Sequence, residues 1–180
     1  MPTLSGIFIL GELTGPVADE LQAITERADP KLARLRRPHV TVAGSSGLGP
    51  MAADTPMDLL RERLTAVARE TAPLSLKLGP VERFPGTEIV VLPIAPRGPI
   101  RALHDRIAST GLHFARPRFA FSPHVTLNLY KTLTPKSLRT LMGVYVSQPV
   151  TLDRLHVYLT NEPTPARLLL DLPLTGEGTK

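Results

Sequence analysis

The chain has no cysteine and no tryptophan. Without cysteine, disulfides, thiolate catalysis and cysteine-bound zinc are excluded. Aromatics make up 4% of the 180 residues, so the core has to be built from Leu, Val, Ile and Ala. The apolar stretch Ile7 to Leu10 is far short of the roughly 20 residues that cross a bilayer. No basic segment precedes it, so a secretory signal is not supported, and a cytoplasmic protein with no membrane attachment is expected.

What is present suits a folded enzyme-sized domain. Apolar residues reach 42%, ordinary for a globular protein, and 19 prolines imply many turns and short elements. A balance of 21 basic to 16 acidic residues gives a net charge of +5. That excess favours an anionic partner such as nucleic acid or nucleotide, although simple solubility accounts for it as well. The placement says more than the total. Lys31, Arg34, Arg36 and Arg37 come just before His39; Arg116 and Arg118 come just before His124, and Lys131, Lys136 and Arg139 follow it.

Periodicity and turn residues predict a mixed chain. Strands are expected at Gly6 to Leu13, His39 to Ala43, Leu74 to Leu78, Val81 to Phe84 and Ile89 to Ala95. Further extended segments are Phe119 to Tyr130, Val150 to Leu152, Leu155 to Thr160 and Leu168 to Leu172. Helices are expected at Pro16 to Ala28, Thr55 to Thr71 (Thr55 as N-cap, Pro56 at the first position), Pro99 to Ser109 and Ser137 to Val144. Gly44 to Pro50 reads as a flexible loop. Strands follow strands directly, without helical crossovers, which predicts α+β architecture with mostly antiparallel sheets. The order of elements after His39 repeats after His124. We therefore expect a two-lobed duplication over residues 1–174, helices outside and a cleft between the lobes, with residues 175–180 as a frayed tail.

The tetrapeptide Pro-His-Val-Thr occurs twice, as Pro38-His39-Val40-Thr41 and Pro123-His124-Val125-Thr126, with the histidines 85 residues apart. In a strand, alternate side chains share a face, so each histidine projects with its threonine about 7 Å away. The valines between them take the core side. Two such strands brought together would set two imidazoles and two hydroxyls around one small anion. Imidazole has both protonation states accessible near neutrality. One ring can accept a proton from a nucleophilic hydroxyl or water while the other donates to a leaving oxygen. The hydroxyls can bond non-bridging phosphate oxygens. By strand parity Asn128 and Tyr130 share the face of His124, and His156 and Tyr158 leave the core together; these four, with Arg36, Arg37, Arg116 and Arg118, are candidate RNA or substrate contacts. Core-edge packing or solvated surface is the plainer role for each. His104 and His113 read as surface residues.

Two His-x-Thr motifs half a chain apart, in a protein of this size, resemble the 2H phosphoesterase superfamily, and within it the bacterial RNA 2′,3′-cyclic phosphodiesterases, also called 2′-5′ RNA ligases. The resemblance implies one His-x-Thr strand per lobe in a central cleft. It implies metal-independent opening of 2′,3′-cyclic phosphates to 2′-phosphates, with 2′-5′ ligation as the related reaction. His39 and His124 become the acid–base pair, and Thr41 and Thr126 the phosphate ligands. No metal or other cofactor is called for. The partners implied are RNA ends or small nucleotides bearing a cyclic phosphate, met by a monomer. The chain departs from the family pattern after each motif. Val42-Ala43-Gly44-Ser45-Ser46-Gly47 stands where a Phe-Leu-Gly stretch is common. Asn128 and Leu129 stand where a basic residue often helps hold the phosphate; the nearest, Lys131, has the wrong parity for the cleft. A non-catalytic RNA- or nucleotide-binding module using the same cleft is the alternative, and a metal-dependent hydrolase a weaker one.

Overall fold

The computed structural model of the chain describes residues 4–130, 133–162 and 164–177. The elements run β1 (Ser5–Thr14), α1 (Pro16–Ala28), α2 (Pro30–Leu35), β2 (His39–Ala43), α3 (Met57–Glu70), β3 (Leu74–Leu76), β4 (Glu82–Arg83), β5 (Val90–Pro93), α4 (Gly98–Ala108), β6 (His124–Asn128), α5 (Pro135–Met142), β7 (Val150–Asn161) and β8 (Thr164–Pro173). All strands join one sheet in the order β3-β7-β1-β2-β6-β5-β4, with β8 on β7, and every strand pairing is antiparallel. The α+β class is thus as expected.

The two halves of the chain meet at β2 and β6, which pair through Val40 and Val125. Each has its own antiparallel neighbour, β1 for β2 and β5 for β6. In both cases a helix links neighbour to His-bearing strand, α1 in one half and α4 in the other. The helices cross over: α1 packs against β6 and α4 against β2. Val17, Leu21, Ile100, Leu103 and Ile107 recur at helical spacing, so each helix lays one apolar stripe on the shared core with Val40, Val42, Val125 and Leu127. With helices behind, the histidine face of β2 and β6 is left open.

Several boundaries differ from the pattern-based expectation. The basic segment after Ala28 contains a helix, α2, capped by Asp29, whose Oδ1 accepts from the Leu32 N–H at 3.1 Å. Asp-Pro at cap and first helical position is the signal that the charge run obscured. Helix α3 starts one residue later than expected, with Pro56 as N-cap; the Thr55 hydroxyl donates instead to the Ala52 carbonyl at 2.7 Å. The two strands expected between Val150 and Thr160 are one strand, β7. Asp153 bulges out of its pairing with β1, where Leu13 faces Leu152 and Glu12 faces Arg154. The Gly44–Pro50 loop is tied down rather than loose: the N–H groups of Gly44, Gly47 and Gly49 donate to Leu48, Phe119 and Ala115. Gly47 sits at φ 72° with His104 and Phe121 against its Cα, so no side chain fits there. Thr175 and Gly176, placed in the tail by sequence, donate to Ala68 and Thr71 at the end of α3; residues 178–180 lie outside the described residues.

Asp29 joins the halves. Fully buried, it caps α2 with one oxygen, and its Oδ2 accepts from the N–H groups of Leu129 and Tyr130, both at 2.9 Å. Asp29→Ala leaves three N–H groups to find other partners. At about 1–3 kcal/mol for each group left unsatisfied, we expect a loss of roughly 3 kcal/mol or more, read as a lower chemical-denaturation midpoint, with Asp29→Asn losing less.

Candidate active site

Strands β2 and β6 have the same pattern of burial along their five residues: half-buried, buried, half-buried, buried, buried. The half-buried positions are His39 and Thr41 in one and His124 and Thr126 in the other. Because Val40 and Val125 are antiparallel partners, one residue to either side brings His39 beside Thr126 and Thr41 beside His124, on the face away from the core. Four side chains from distant parts of the chain thereby border one spot. Among the described residues, neither threonine hydroxyl has a hydrogen-bond partner within the protein.

The two imidazoles are held alike. His39 Nδ1 lies 2.8 Å from the Arg37 carbonyl, and His124 Nδ1 lies 2.7 Å from the Ser122 carbonyl, each two residues upstream. A carbonyl only accepts, so each Nδ1 carries the hydrogen and each Nε2 keeps a lone pair for the cleft. Burial, which disfavours the imidazolium, lowers the pKa of His39 to about 4; the Arg37 carbonyl opposes that shift, while the charges of Arg36 and His124 add to it. Burial lowers His124 as well, against the Ser122 carbonyl. The surroundings differ, however. Phe84 meets the His124 ring edge-on at 5.2 Å, and Pro93 is its neighbour on β5. His39 is flanked on β1 by Glu12.

A cavity of about 310 Å³ opens beside His39. Its polar lining includes Glu12, Arg34, Arg36, Arg37, His156 and Tyr158. The guanidinium of Arg36 stacks 3.9 Å above the Tyr158 ring. On the floor, His156 lies between two carboxylates, Nδ1 at 2.7 Å from Glu12 and Nε2 at 3.2 Å from Asp171, and Arg154 holds Asp171 at 2.9 Å. Among the described residues no group of three or more His, Asp or Glu side chains is arranged to bind a metal ion.

The family model for the 2′-5′ RNA ligase superfamily matches residues 14–164. The chain belongs to that superfamily. A "Putative phosphoesterase" of Geobacillus thermodenitrificans (strain NG80-2) is 32% identical over 69 residues, 38% of this chain and 39% of the relative's own length. Among solved structures, TT0787 of Thermus thermophilus aligns with a TM-score of 0.60 at 16% identity, over 96% of this chain and 99% of that one. Escherichia coli LigT, in its complex with NADP+, aligns with a TM-score of 0.55 at 17% identity, over 96% and 99%. These likenesses establish a shared fold, and the superfamily is one of phosphodiesterases and ligases, the 2H phosphoesterases.

Within this superfamily fold the remaining candidate residues fall in different places. Arg36, His156 and Tyr158 line the cavity beside His39. Arg37 does too, but it is paired with Asp19 at 2.7 Å and Glu12 at 3.8 Å. Arg116 and Arg118 are exposed on the segment leading to β6, away from that cavity. Asn128 is not a cleft residue. It is fully buried, and its amide donates to the carbonyls of Glu88 at 2.9 Å and Tyr130 at 3.0 Å, because β6 dips into the core at its end. Ala43, in strand phase with His39 and Thr41, is likewise buried at the end of β2. Tyr130 is half-buried under Lys31, whose ammonium sits 3.9 Å from the ring centre. Lys131 lies outside the described residues. His104, expected on the surface, is buried and stacked on Phe121 at 4.0 Å, since its helix α4 lies against β2; His113 is exposed. Sequence reasoning placed no carboxylate near either motif, yet Glu12 is directly opposite His39. The polar Glu12 ending an otherwise apolar strand was the available signal. Asp171, alone among leucines in β8, was another.

Proposed function

We propose that this protein is a phosphodiesterase that opens 2′,3′-cyclic phosphates, on RNA ends or small nucleotides, to 2′-phosphates by two-histidine acid–base catalysis. The observation that carries this is the matched pair of strands: each offers one imidazole with its Nδ1 held by a carbonyl two residues back, and one threonine hydroxyl without a partner among the described residues, on the same open face. One neutral Nε2 takes a proton from water as its oxygen attacks phosphorus. The P–O3′ bond breaks, and the other imidazole, protonated, gives its proton to O3′. The Thr41 and Thr126 hydroxyls donate to the non-bridging oxygens, which carry the charge in the transition state. A 5′-hydroxyl in place of water gives a 2′-5′ linkage by the same proton transfers. LigT, a fold relative, has been crystallised with 3′-AMP and with NADP+, which supports a nucleotide in such a cleft.

The test is product analysis after incubating the protein, in the presence of chelator, with an oligonucleotide ending in a 2′,3′-cyclic phosphate. The expected product is the 2′-phosphate alone. Salt-sensitive binding with the cyclic end left intact supports the binding module instead. Turnover that stops with chelation and returns with a divalent ion contradicts the two-histidine mechanism.

A further inference from the structure

The cavity beside His39 contains a cation with no close counter-ion among the described residues. Arg36 is the residue just after α2, half-buried, with burial pulling its pKa down. Among the described residues its guanidinium makes one hydrogen bond, from Nη1 to the Leu35 carbonyl at 3.2 Å, and no ion pair. Of the other arginines here, Arg37 is paired with Asp19 and Glu12 and Arg154 with Asp153 and Asp171, while Arg34, on the same cavity and likewise in no ion pair among the described residues, is exposed to solvent rather than half-buried. Glu12, whose charge favours the Arg36 cation from a distance, makes its close contacts with His156 and Arg37 instead. A partly buried charge without a partner is costly. The Tyr158 ring, 3.9 Å from the guanidinium carbon, holds this cation at the cavity wall, and a guanidinium's fork of N–H donors matches a phosphate oxyanion.

A second observation points to the same place. Among the described residues the end of β6 supplies no cation for the phosphate, since Asn128 is spent on two carbonyls and Leu129 is apolar. Arg36 lies three residues before His39 and lines the cavity with it. We propose that Arg36 is the phosphate-binding cation of this site, supplied from the first half of the chain, with Asn128 and Leu129 standing at the end of β6. This rests on the phosphodiesterase reading only in naming the phosphate as that of a cyclic or 2′-phosphorylated nucleotide end.

The assignment is tested by calorimetric titration of the wild type and of Arg36→Ala, Arg36→Gln and Arg36→Lys with adenosine 2′-monophosphate, and with adenosine as a control, alongside steady-state kinetics on 2′,3′-cyclic AMP. Expected for Ala and Gln is about ten- to a hundredfold weaker binding of the nucleotide, unchanged affinity for adenosine, and a KM raised by a similar factor. Lys recovers part of the loss, keeping the charge without the planar fork. Gln serves where Ala fails to fold. Wild-type nucleotide affinity in Arg36→Gln, equal losses for nucleotide and adenosine, or no nucleotide binding by the wild type overturns the assignment. Nucleotide binding that depends on Arg36, in a protein that leaves cyclic phosphates intact, upholds it and sinks the catalytic reading instead. Turnover with an Arg36-independent KM does the reverse.

Discussion

His39→Ala and His124→Ala each lower kcat on a 2′,3′-cyclic nucleotide by about a thousandfold or more. In the proposed mechanism each ring handles a separate proton: one leaves the attacking water, the other arrives at the departing O3′. Removing either stalls the reaction at a different bond, so the double variant is scarcely worse than the singles, because groups that act as a unit are not additive. Binding falls much less, since the threonine hydroxyls and the cavity cation remain. Both rings are half-buried on the open face rather than in the core, so the variants stay folded; circular dichroism and thermal melting check this. A variant with more than a tenth of wild-type kcat removes its histidine from the mechanism.

Activity peaks on the acid side of neutrality in kcat/KM, which reports the free enzyme. Burial depresses both imidazoles, His39 to about 4 and His124 to below its ordinary 6.5. The reaction needs one ring neutral and one protonated. As pH falls through the lower value, both become charged and the base is lost; as it rises through the higher one, both become neutral and the acid is lost. The resulting bell has its alkaline limb below 6.5, falling about tenfold per pH unit beyond it, and its limbs belong to the pair rather than to either ring. Its shape is the same whichever histidine is the base; only its height changes. A bound phosphate favours the imidazolium, so the profile of kcat lies at higher pH than that of kcat/KM. Coincident profiles, or a kcat/KM still rising above about pH 7, contradict these electrostatics.

Much of this site is legible in the chain because it is local. The Pro-His-Val-Thr repeats carry both residues of each strand, and strand alternation alone puts imidazole and hydroxyl together and valine behind. Parity stops being a guide where a strand ends: Asn128 and Ala43 keep the right phase yet sink into the core. What alternation does not contain is register. That Glu12 faces His39 depends on how β1 pairs with β2, and the Glu12–His156–Asp171 row spans three strands drawn from both ends of the chain. Asp29 shows the same limit. Its role as cap is readable from Asp-Pro, but its hold on Leu129 and Tyr130, about a hundred residues away, follows only from α1 packing behind β6. Nor does composition separate arginines that are paired, such as Arg37, from one in no ion pair among the described residues, such as Arg36.

The most direct measurement is a titration of both imidazoles by NMR, in the free protein and with adenosine 2′-monophosphate added stepwise. If His39 and His124 border one phosphate, both sets of ring resonances shift with one and the same dissociation constant, and both pKa values, below 6.5 in the free protein, rise when the ligand is bound. Movement of one ring alone, or two distinct dissociation constants, shows that the two strands do not share a ligand.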